Sequence, residues 1–503
     1  MSGIKKLAGQ TLWYGIPTIT SRFLGYLMNL TLPLFFDIPA KTADLTQTYA
    51  IIPFLNILFT YGIETGYFRF SSQKDRDKLY NTLSISLLGS TLLFTALLLL
   101  FSNQIAGAAD LADHPEYIWW MAGIIFFDTL ATLPFAKLRQ ENRPKRYALV
   151  RLAGIVINIA VVILFVGIVP AYVKNHPTSY WASFVNPQNQ IIYYLIGNFF
   201  GSLFTFLLLY KEFSRIRFQF DGSLWREVMR YCYPLIIVGM GGMVNDVLSR
   251  LIYRHAVNLP AEQADHELGI FANIYRIAVL ITIVIQAFRM AAEPFFFSQS
   301  GSDNAPRTYA RVMKFFVIVC CFLLLGIGLF LDVIEWIFLK ISKNWAEGLG
   351  AVPLLALGNV FLGIYYNLSV WYKLTNKNRY GAMITLVGAI ITIGLNLLLI
   401  PRWHYTGAAI ATFCCYLFMM VACYRLGQKH YPIPYARKKL TAYLVLVMLL
   451  YFLHLGITHF IYGKLWFSVL TGMLLFGFFT WFVGQIEAKE LAKLPVIGKY
   501  FKK

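Results

Sequence analysis

The sequence has few charged residues and no long polar segment. Only 14% of its 503 residues are charged, whereas 58% are hydrophobic and 17% are aromatic. A soluble protein of this length needs a polar surface that such a composition cannot supply. Apolar runs of about 20 residues recur along almost the whole chain, and each is long enough to cross a bilayer as a helix. The sequence therefore predicts an integral membrane protein.

Motifs for catalysis, metal binding and disulfide formation are also missing. The six cysteines all lie within apolar runs, which favours packing over a disulfide framework or a metal site. The eight histidines lack ligand spacing, and no phosphate loop or Ser/His/Asp order is present. The longest connections, of about 20 residues, are too short for the catalytic domain of a membrane polymerase or glycosyltransferase. We expect no enzymatic activity, no cofactor and no metal.

The apolar runs predict an all-α polytopic membrane protein with about fourteen transmembrane spans. None of the runs resembles a cleavable signal peptide. The tract 171–190 has the aromatic residues typical of an interfacial loop. The fourteen spans, numbered in chain order, are 11–36, 45–68, 83–107, 117–136, 152–170, 190–210, 231–253, 268–297, 315–339, 348–371, 380–400, 406–424, 440–460 and 465–486.

Lysine and arginine are concentrated on one side of these spans. The two termini and the even-numbered connections hold 33 of the 44 basic residues, and the odd-numbered connections hold 7. This asymmetry is the positive-inside pattern and predicts that both termini lie in the cytoplasm. The net charge of +20 therefore reflects orientation, and we expect no nucleic-acid partner. The basic tail 488–503 is suited to contact anionic membrane lipids.

Spans 1 and 7 share residue types at a constant offset of 217 residues. Transporters often contain such a duplication, although two apolar helices can also share small residues by chance. A duplication predicts two pseudo-symmetric six-helix lobes, 1–220 and 221–427, followed by spans 13 and 14 and the tail in 428–503. The matched residues are Tyr14, Pro17, Gly25 and Asn29 in span 1 and Tyr231, Pro234, Gly242 and Asp246 in span 7.

Three stretches resemble the polysaccharide-unit flippases. They are NLLLIPRWHYTGAAIAT at 396–412, RQENRPKRYALV at 139–150 and LAGQTLWYGIPTITSRFLGYLMN at 7–29. These flippases belong to the multidrug/oligosaccharidyl-lipid/polysaccharide exporter superfamily, with the lipid II flippases and multidrug exporters. The resemblance implies that the Pro/Gly break in the first stretch is a short outer turn between spans 11 and 12. It also implies that spans 1, 2, 7 and 8 line a central cavity.

Four arginines lie inside the predicted spans. An arginine in the middle of a membrane helix costs roughly 2.5–3.5 kcal/mol on the insertion scale unless it faces water or a partner. Four of them therefore predict a polar cavity. Arg22 and Arg276 lie deepest and are the best candidates for binding a substrate. The four are Arg22 in span 1, Arg250 in span 7, and Arg276 and Arg289 in span 8.

Two of these arginines have a carboxylate one helical turn away. Asp246 and Arg250 are spaced i,i+4, as are Arg289 and Glu293, so each pair shares a helix face. Such a pair is either an internal salt bridge or part of a substrate site, and the spacing leaves both interpretations open.

Two further acidic residues lie within spans. Asp128 in span 4 is deep enough to act as a counter-ion for Arg22 or Arg276, the preferred interpretation, or to bind a coupling proton or sodium ion. Glu64 and Glu293 fall near the predicted cytoplasmic ends of spans 2 and 8, where hydration lowers the cost of a charge. These three carboxylates, with Asp246, form the predicted charge-balancing or ion-coupling set.

The excess of arginine predicts an anionic ligand, since guanidinium groups bind phosphate oxygens bidentately. Together with the resemblance, it implies a flippase that moves a polyprenyl-diphosphate-linked glycan, an O-antigen or capsule unit, across the bacterial cytoplasmic membrane by alternating access. A lipid II flippase or a multidrug/cation antiporter of the same fold is the alternative. Candidate sugar contacts are Asn29, Asn245, Tyr275, Asn359 and Tyr366, and for each of these a packing role is the alternative.

Overall fold

The fold was analysed in a computed structural model. It describes residues 20, 24, 32–36, 38–71, 74–141, 143–183, 190–214, 216–299, 302–341, 343–375, 377–460 and 465–491. Most of span 1 lies outside these ranges, and the predictions for Arg22 and Asn29 lie outside them as well.

Helices dominate the described residues, which contain no β-strand. Ten helices there are long and apolar enough to cross a membrane, or eleven if one bent pair counts as a single span, and one of the ten contains both span 11 and span 12. The all-α membrane fold is confirmed, and the count of fourteen remains a prediction. The helices are Ala43–Thr60 and Ile63–Phe70 (span 2), Arg76–Leu100 (span 3), Glu116–Gln140 (span 4), Pro144–Val162 (span 5), Gln190–Leu208 (span 6), Gly222–Leu251 (span 7), Ala261–Ala278 and Leu280–Gln299 (span 8), Ala305–Leu329 (span 9), Val352–Leu368 (span 10), Asn378–His430 (spans 11 and 12), Arg437–Phe460 (span 13) and Leu465–Leu491 (span 14).

The two ends of the molecule are named here by their connections. The "linker end" carries the segment that joins spans 6 and 7, and the "far end" carries the segment that joins spans 7 and 8. At the linker end, Asp75 and Asp221 cap spans 3 and 7 by accepting hydrogen bonds from the first backbone N–H groups. Lys78 bonds Asp221 at 2.7 Å and, with the cap hydrogen bonds, holds the pKa of Asp221 well below its usual range.

Spans 2 and 8 are each broken, although the sequence predicts continuous helices. In span 2 the break lies at Tyr61 and Gly62, whose φ angles of 34° and 72° place them in the left-handed region. In span 8 the two helices meet at 44° near Val279. The Asn359 side chain of span 10 donates a hydrogen bond of 3.0 Å to the Ala278 carbonyl at this break. A side chain thus bonds a backbone group at the helix end.

The chain reverses direction between spans 11 and 12 within the segment that contains the Pro/Gly break. His404 adopts φ 52° and ψ −135°, a conformation that costs a non-glycine residue about 1–3 kcal/mol. A Cβ atom on Gly407 would lie 2.4 Å from the carbonyl oxygen of Leu399. Residues eight apart on a straight helix are about 12 Å apart, so this approach requires a tight turn. The predicted turn is present, and only glycine fits at position 407.

The described spans pack in two groups. Spans 2 to 6 pack on one another and are called the first bundle, and spans 7 to 12 are called the second bundle. Span 7 packs on spans 11 and 12 and also along span 2, so it joins the two groups. Cysteines 232, 320, 321, 415 and 423 are buried and free, as the packing interpretation predicts. The domain boundaries at 220 and 427 remain predictions.

Spans 13 and 14 pack on span 9. A buried ion network at the linker end fixes them there. The Lys314 ammonium of span 9 lies 2.5 Å from Glu487 and 2.9 Å from Glu490 of span 14. Glu487 also bonds Lys439 at 3.1 Å and accepts a hydrogen bond of 2.8 Å from Tyr443, both of span 13. Because Glu487 has two cations around it, its charge is compensated inside the protein.

Candidate functional site

A cluster of polar side chains joins span 7 to span 8 in the second bundle. The Tyr275 hydroxyl donates a hydrogen bond to the Asp246 carboxylate. The Arg250 guanidinium lies over the Tyr275 ring, 4.6 Å from its centroid. The Asp246 residue is exposed at the protein surface, whereas Tyr275 is buried. The cluster therefore presents a carboxylate and a ring-supported cation on the same side of span 7.

The spacing of Asp246 and Arg250 left a salt bridge and a substrate site open, and the structure shows no bond between their two charged groups. Arg250 donates instead to the backbone carbonyl of Asp246, at 3.2 Å. Sequence spacing placed the two residues on one helix face correctly. The carboxylate of Asp246 accepts a hydrogen bond from Tyr275, which belongs to another helix. The Asp246 charge is thus met by a neutral hydroxyl, and the Arg250 charge by an aromatic face.

Arg276 lies two residues before the break in span 8. Its charge interacts with the hydroxyl of Tyr194 in span 6, so Arg276 lies on the side of span 8 near the first bundle. Tyr194 packs edge-on against Tyr49 of span 2, with ring centroids 6.0 Å apart. Arg276 therefore stands where the two bundles meet.

Arg289 lies in the half of span 8 nearer the linker end. Its guanidinium is 4.9 Å from the centre of the Tyr366 ring of span 10, and the arginine is exposed. Both residues line a narrow cavity of about 20 Å³ that Lys373 also borders. The side chain of Glu293 lies outside the described part of the structure, so the predicted Arg289–Glu293 pair remains a prediction.

The arginines of span 8 define two levels between the far end and the linker end. Arg289 lies thirteen residues after Arg276, which corresponds to at most about 20 Å, since the 44° bend of span 8 lies between them. Arg250 lies with Arg276 at the level nearer the far end, because its guanidinium covers the ring of Tyr275, the residue directly before Arg276. Lys373 joins Arg289 at the level nearer the linker end. One small anionic group cannot contact both levels at once.

The two candidate asparagines of the second bundle have packing roles. Asn245 is buried and donates to the Thr385 carbonyl of span 11 at 3.1 Å. Asn359 is buried and bonds the carbonyl at the break in span 8. Neither side chain is placed to contact a sugar.

The two predicted carboxylates of the first bundle, Asp128 and Glu64, contact residues of neighbouring spans. Asp128 is hydrogen-bonded to Ser202 of span 6, and its charge interacts with Arg151 of span 5. The predicted pairing of Asp128 with Arg22 or Arg276 stays a prediction. Glu64 forms an ion pair with Arg139 at the linker end of span 4.

At the far end, Arg254 connects the two bundles. It lies between spans 7 and 8, and its guanidinium bonds Asp44 at the start of span 2 and Asp265 of span 8, each at 2.6 Å. It also donates to the backbone carbonyl of Asp110, between spans 3 and 4. Burial opposes the charge of Arg254, but the hydrogen bonds and charges of Asp44 and Asp265 together more than offset it, so the pKa of Arg254 is raised.

Further contacts close the far end. Gln47 of span 2 donates to the Leu251 carbonyl of span 7 at 3.1 Å. Trp345, between spans 9 and 10, is fully buried and donates to the Phe36 carbonyl at 2.8 Å. By contrast, the Leu280–Gln299 half of span 8 packs mainly on spans 9 and 10 of its own bundle. Among the described residues, these contacts join the two bundles at the far end.

Sequence reasoning did not identify Arg254 or Lys373. A signal for Arg254 was available in its position. It is a basic residue in an odd-numbered connection, and these connections hold only 7 of the 44 basic residues. Lys373 lies among the many basic residues of an even-numbered connection, where charge pattern alone gives no distinction.

The fold is that of membrane transporters of the exporter superfamily. A lipid II flippase, MurJ, in an inward closed conformation aligns with a TM-score of 0.71 and 14% identity over 94% of this chain and 98% of that one. An inward-facing multidrug resistance MATE transporter aligns with a TM-score of 0.63 and 13% identity, covering 82% and 94% of the two chains. A mutant of the Vibrio cholerae MATE transporter VcmN aligns with a TM-score of 0.60 and 12% identity, over 85% of this chain and 98% of that one.

A family model described as polysaccharide biosynthesis protein matches residues 7–300, which is more than half of the chain. The chain belongs to this family, and its fold is shared with the transporters named above. No curated protein sequence matches it. The absence of catalytic motifs agrees with a transporter fold.

Proposed function

We propose that the protein is a flippase that moves a polyprenyl-diphosphate-linked oligosaccharide, an O-antigen or capsule repeat unit, across the bacterial cytoplasmic membrane by alternating access. The observation that carries this proposal is the placement of Arg250, Arg276 and Arg289 at two levels along spans 7 and 8. Cations at membrane depth are costly and suit an anionic ligand that travels past them.

The orientation follows from charge. The linker end faces the cytoplasm, because the termini and even-numbered connections carry 33 of the 44 basic residues. The bundles then move as the lobes 1–220 and 221–427, with spans 13 and 14 attached to the second lobe. The head group enters from the linker end, passes Arg289, and reaches Arg276 and Arg22.

The sugar part of the ligand rides beside polar groups of the second lobe. Asp246 is exposed, and a carboxylate accepts hydrogen bonds from sugar hydroxyls. The polyprenyl chain stays in the lipid. Asp128, with Ser202 beside it, is the candidate carboxylate for a coupling proton or sodium ion.

Export by Arg276 variants tests the diphosphate contact. A hydrogen bond to a charged group contributes about 1.5–3 kcal/mol, so Arg276→Ala should lower export of the lipid-linked glycan by about ten- to hundredfold, and Arg276→Lys by less. The matched control is Arg402→Ala, an exposed arginine in the turn between spans 11 and 12. Normal export by Arg276→Ala, at equal amounts of protein in the membrane, would overturn the assignment.

A lipid II flippase is the second candidate, favoured by the fold match to MurJ with a TM-score of 0.71. Lipid II also carries a diphosphate, so the arginines do not separate the two substrates. Growth of cells depleted of their own lipid II flippase separates them. Rescue by this protein would support the second candidate, and export of a surface polysaccharide without rescue would support the first.

A further inference from the structure

We infer that Arg254 and Asp44 form a latch that holds the two bundles together at the far end. The Arg254–Asp44 bond is one of the ion pairs that join the two bundles there. Alternating access requires that contacts between the bundles at one end break when that end opens. The inference rests on the alternating access of the proposed function and on no particular substrate.

The geometry of the latch is specific. The Arg254 side chain is only 12% exposed, and Asp44 is 28% exposed. A partly buried, charge-assisted hydrogen bond of 2.6 Å is stronger and less screened than a surface ion pair. Asp44 stands in the first turn of span 2, so a movement of the first bundle pulls it directly away from Arg254.

Asp265 has a different role from Asp44, although both bond Arg254 at 2.6 Å. Asp265 belongs to span 8, in the same bundle as Arg254, so their bond survives when the bundles separate. It orients the guanidinium toward the first bundle. The two carboxylates therefore form a matched pair, of which only one crosses between the bundles.

Two neighbouring contacts add to the closure. The His255 ring lies 3.3 Å from the Asp110 carboxylate of the first bundle. Span 8 approaches the segment before span 2 so closely that a Cβ on Gly269 would lie 2.3 Å from the Pro39 carbonyl oxygen. Opening the far end must separate these surfaces as well, so loss of the latch weakens the closure without abolishing it.

Distance measurements between spin labels test the latch. The labels are placed by Ala108→Cys in the first bundle and Glu262→Cys in the second, both exposed at the far end. Five of the six native cysteines are buried, which limits their labelling. Asp44→Asn and Asp265→Asn are then compared in the full-length protein in lipid nanodiscs. Asp44→Glu, which keeps the charge, is the control for correct folding.

Asp44→Asn replaces a charge-assisted bond between the bundles by a neutral one, so the fraction with a long label distance should rise about tenfold. Asp265→Asn should leave the fraction near that of the unmodified protein. An unchanged distribution in Asp44→Asn would overturn the latch, and so would equal opening in both variants. The measurement uses no substrate, so its failure leaves the diphosphate assignment untouched, and failure of that assignment leaves the latch untouched.

Discussion

The Arg289–Tyr366 pair makes a quantitative prediction about the level nearer the linker end. The guanidinium lies 4.9 Å from the ring centre, and Arg289 is exposed. A cation over an aromatic face at a partly exposed site gains about 1 kcal/mol. We therefore expect the ring to hold the guanidinium where an entering phosphate group meets it.

The perturbation is a comparison of Tyr366→Phe with Tyr366→Leu. Phenylalanine keeps the ring face, so binding of a fluorescent polyprenyl diphosphate to the purified protein in nanodiscs should change less than about twofold. Leucine removes the ring face, and a loss of about 1 kcal/mol weakens binding about fivefold. Arg289→Ala removes the charge itself and should weaken binding about tenfold or more.

The double variant Arg289→Ala/Tyr366→Leu completes the cycle. If the ring acts only through the guanidinium, the double variant should bind no more weakly than Arg289→Ala alone. Additive losses would show that Tyr366 acts independently of Arg289. Equal losses in Tyr366→Phe and Tyr366→Leu would show that the hydroxyl, and not the ring, is what matters. Either result would refute the reasoning about this level.

Two further predictions concern stability, measured as thermal unfolding in detergent. Gly407→Ala should destabilise the protein by several kcal/mol, because the new Cβ would lie 2.4 Å from the Leu399 carbonyl oxygen. The control Gly394→Ala, whose new Cβ would meet open space, should be neutral or slightly stabilising. Similar melting temperatures for the two variants would contradict the turn geometry. Lys314→Met should lower the free energy of unfolding by about 3 kcal/mol, because it leaves the buried Glu487 with a single cation. The control Arg425→Met, at an exposed residue, should change the stability little. Equal effects of the two variants would show that the network does not attach spans 13 and 14.

The sequence predicts the membrane class because the length and spacing of apolar runs follow directly from the thickness of the bilayer. The turn between spans 11 and 12 is predictable for the same reason, since proline and glycine interrupt two such runs. The breaks at Tyr61 and Val279 are not predictable in this way. No proline lies at either position, and the Val279 break is held by Asn359 of another helix.

At the candidate site, too, contacts within one helix could be predicted from the sequence, and contacts between helices could not. Helical spacing puts Asp246 and Arg250 on one face, and the structure agrees. Which partner each charge takes depends on Tyr275, which approaches from span 8. The position of Arg254 in sequence likewise says nothing about Asp44, about 210 residues away, until the bundles are assembled.

Transport by the purified protein in liposomes tests the central proposal most directly. Three substrates would be compared: a polyprenyl-diphosphate-linked oligosaccharide, the same glycan on a polyprenyl monophosphate, and a lipophilic organic cation. An arginine-lined passage predicts rapid movement of the diphosphate, slower movement of the monophosphate and none of the cation. Movement of the cation without the diphosphate would contradict the proposal.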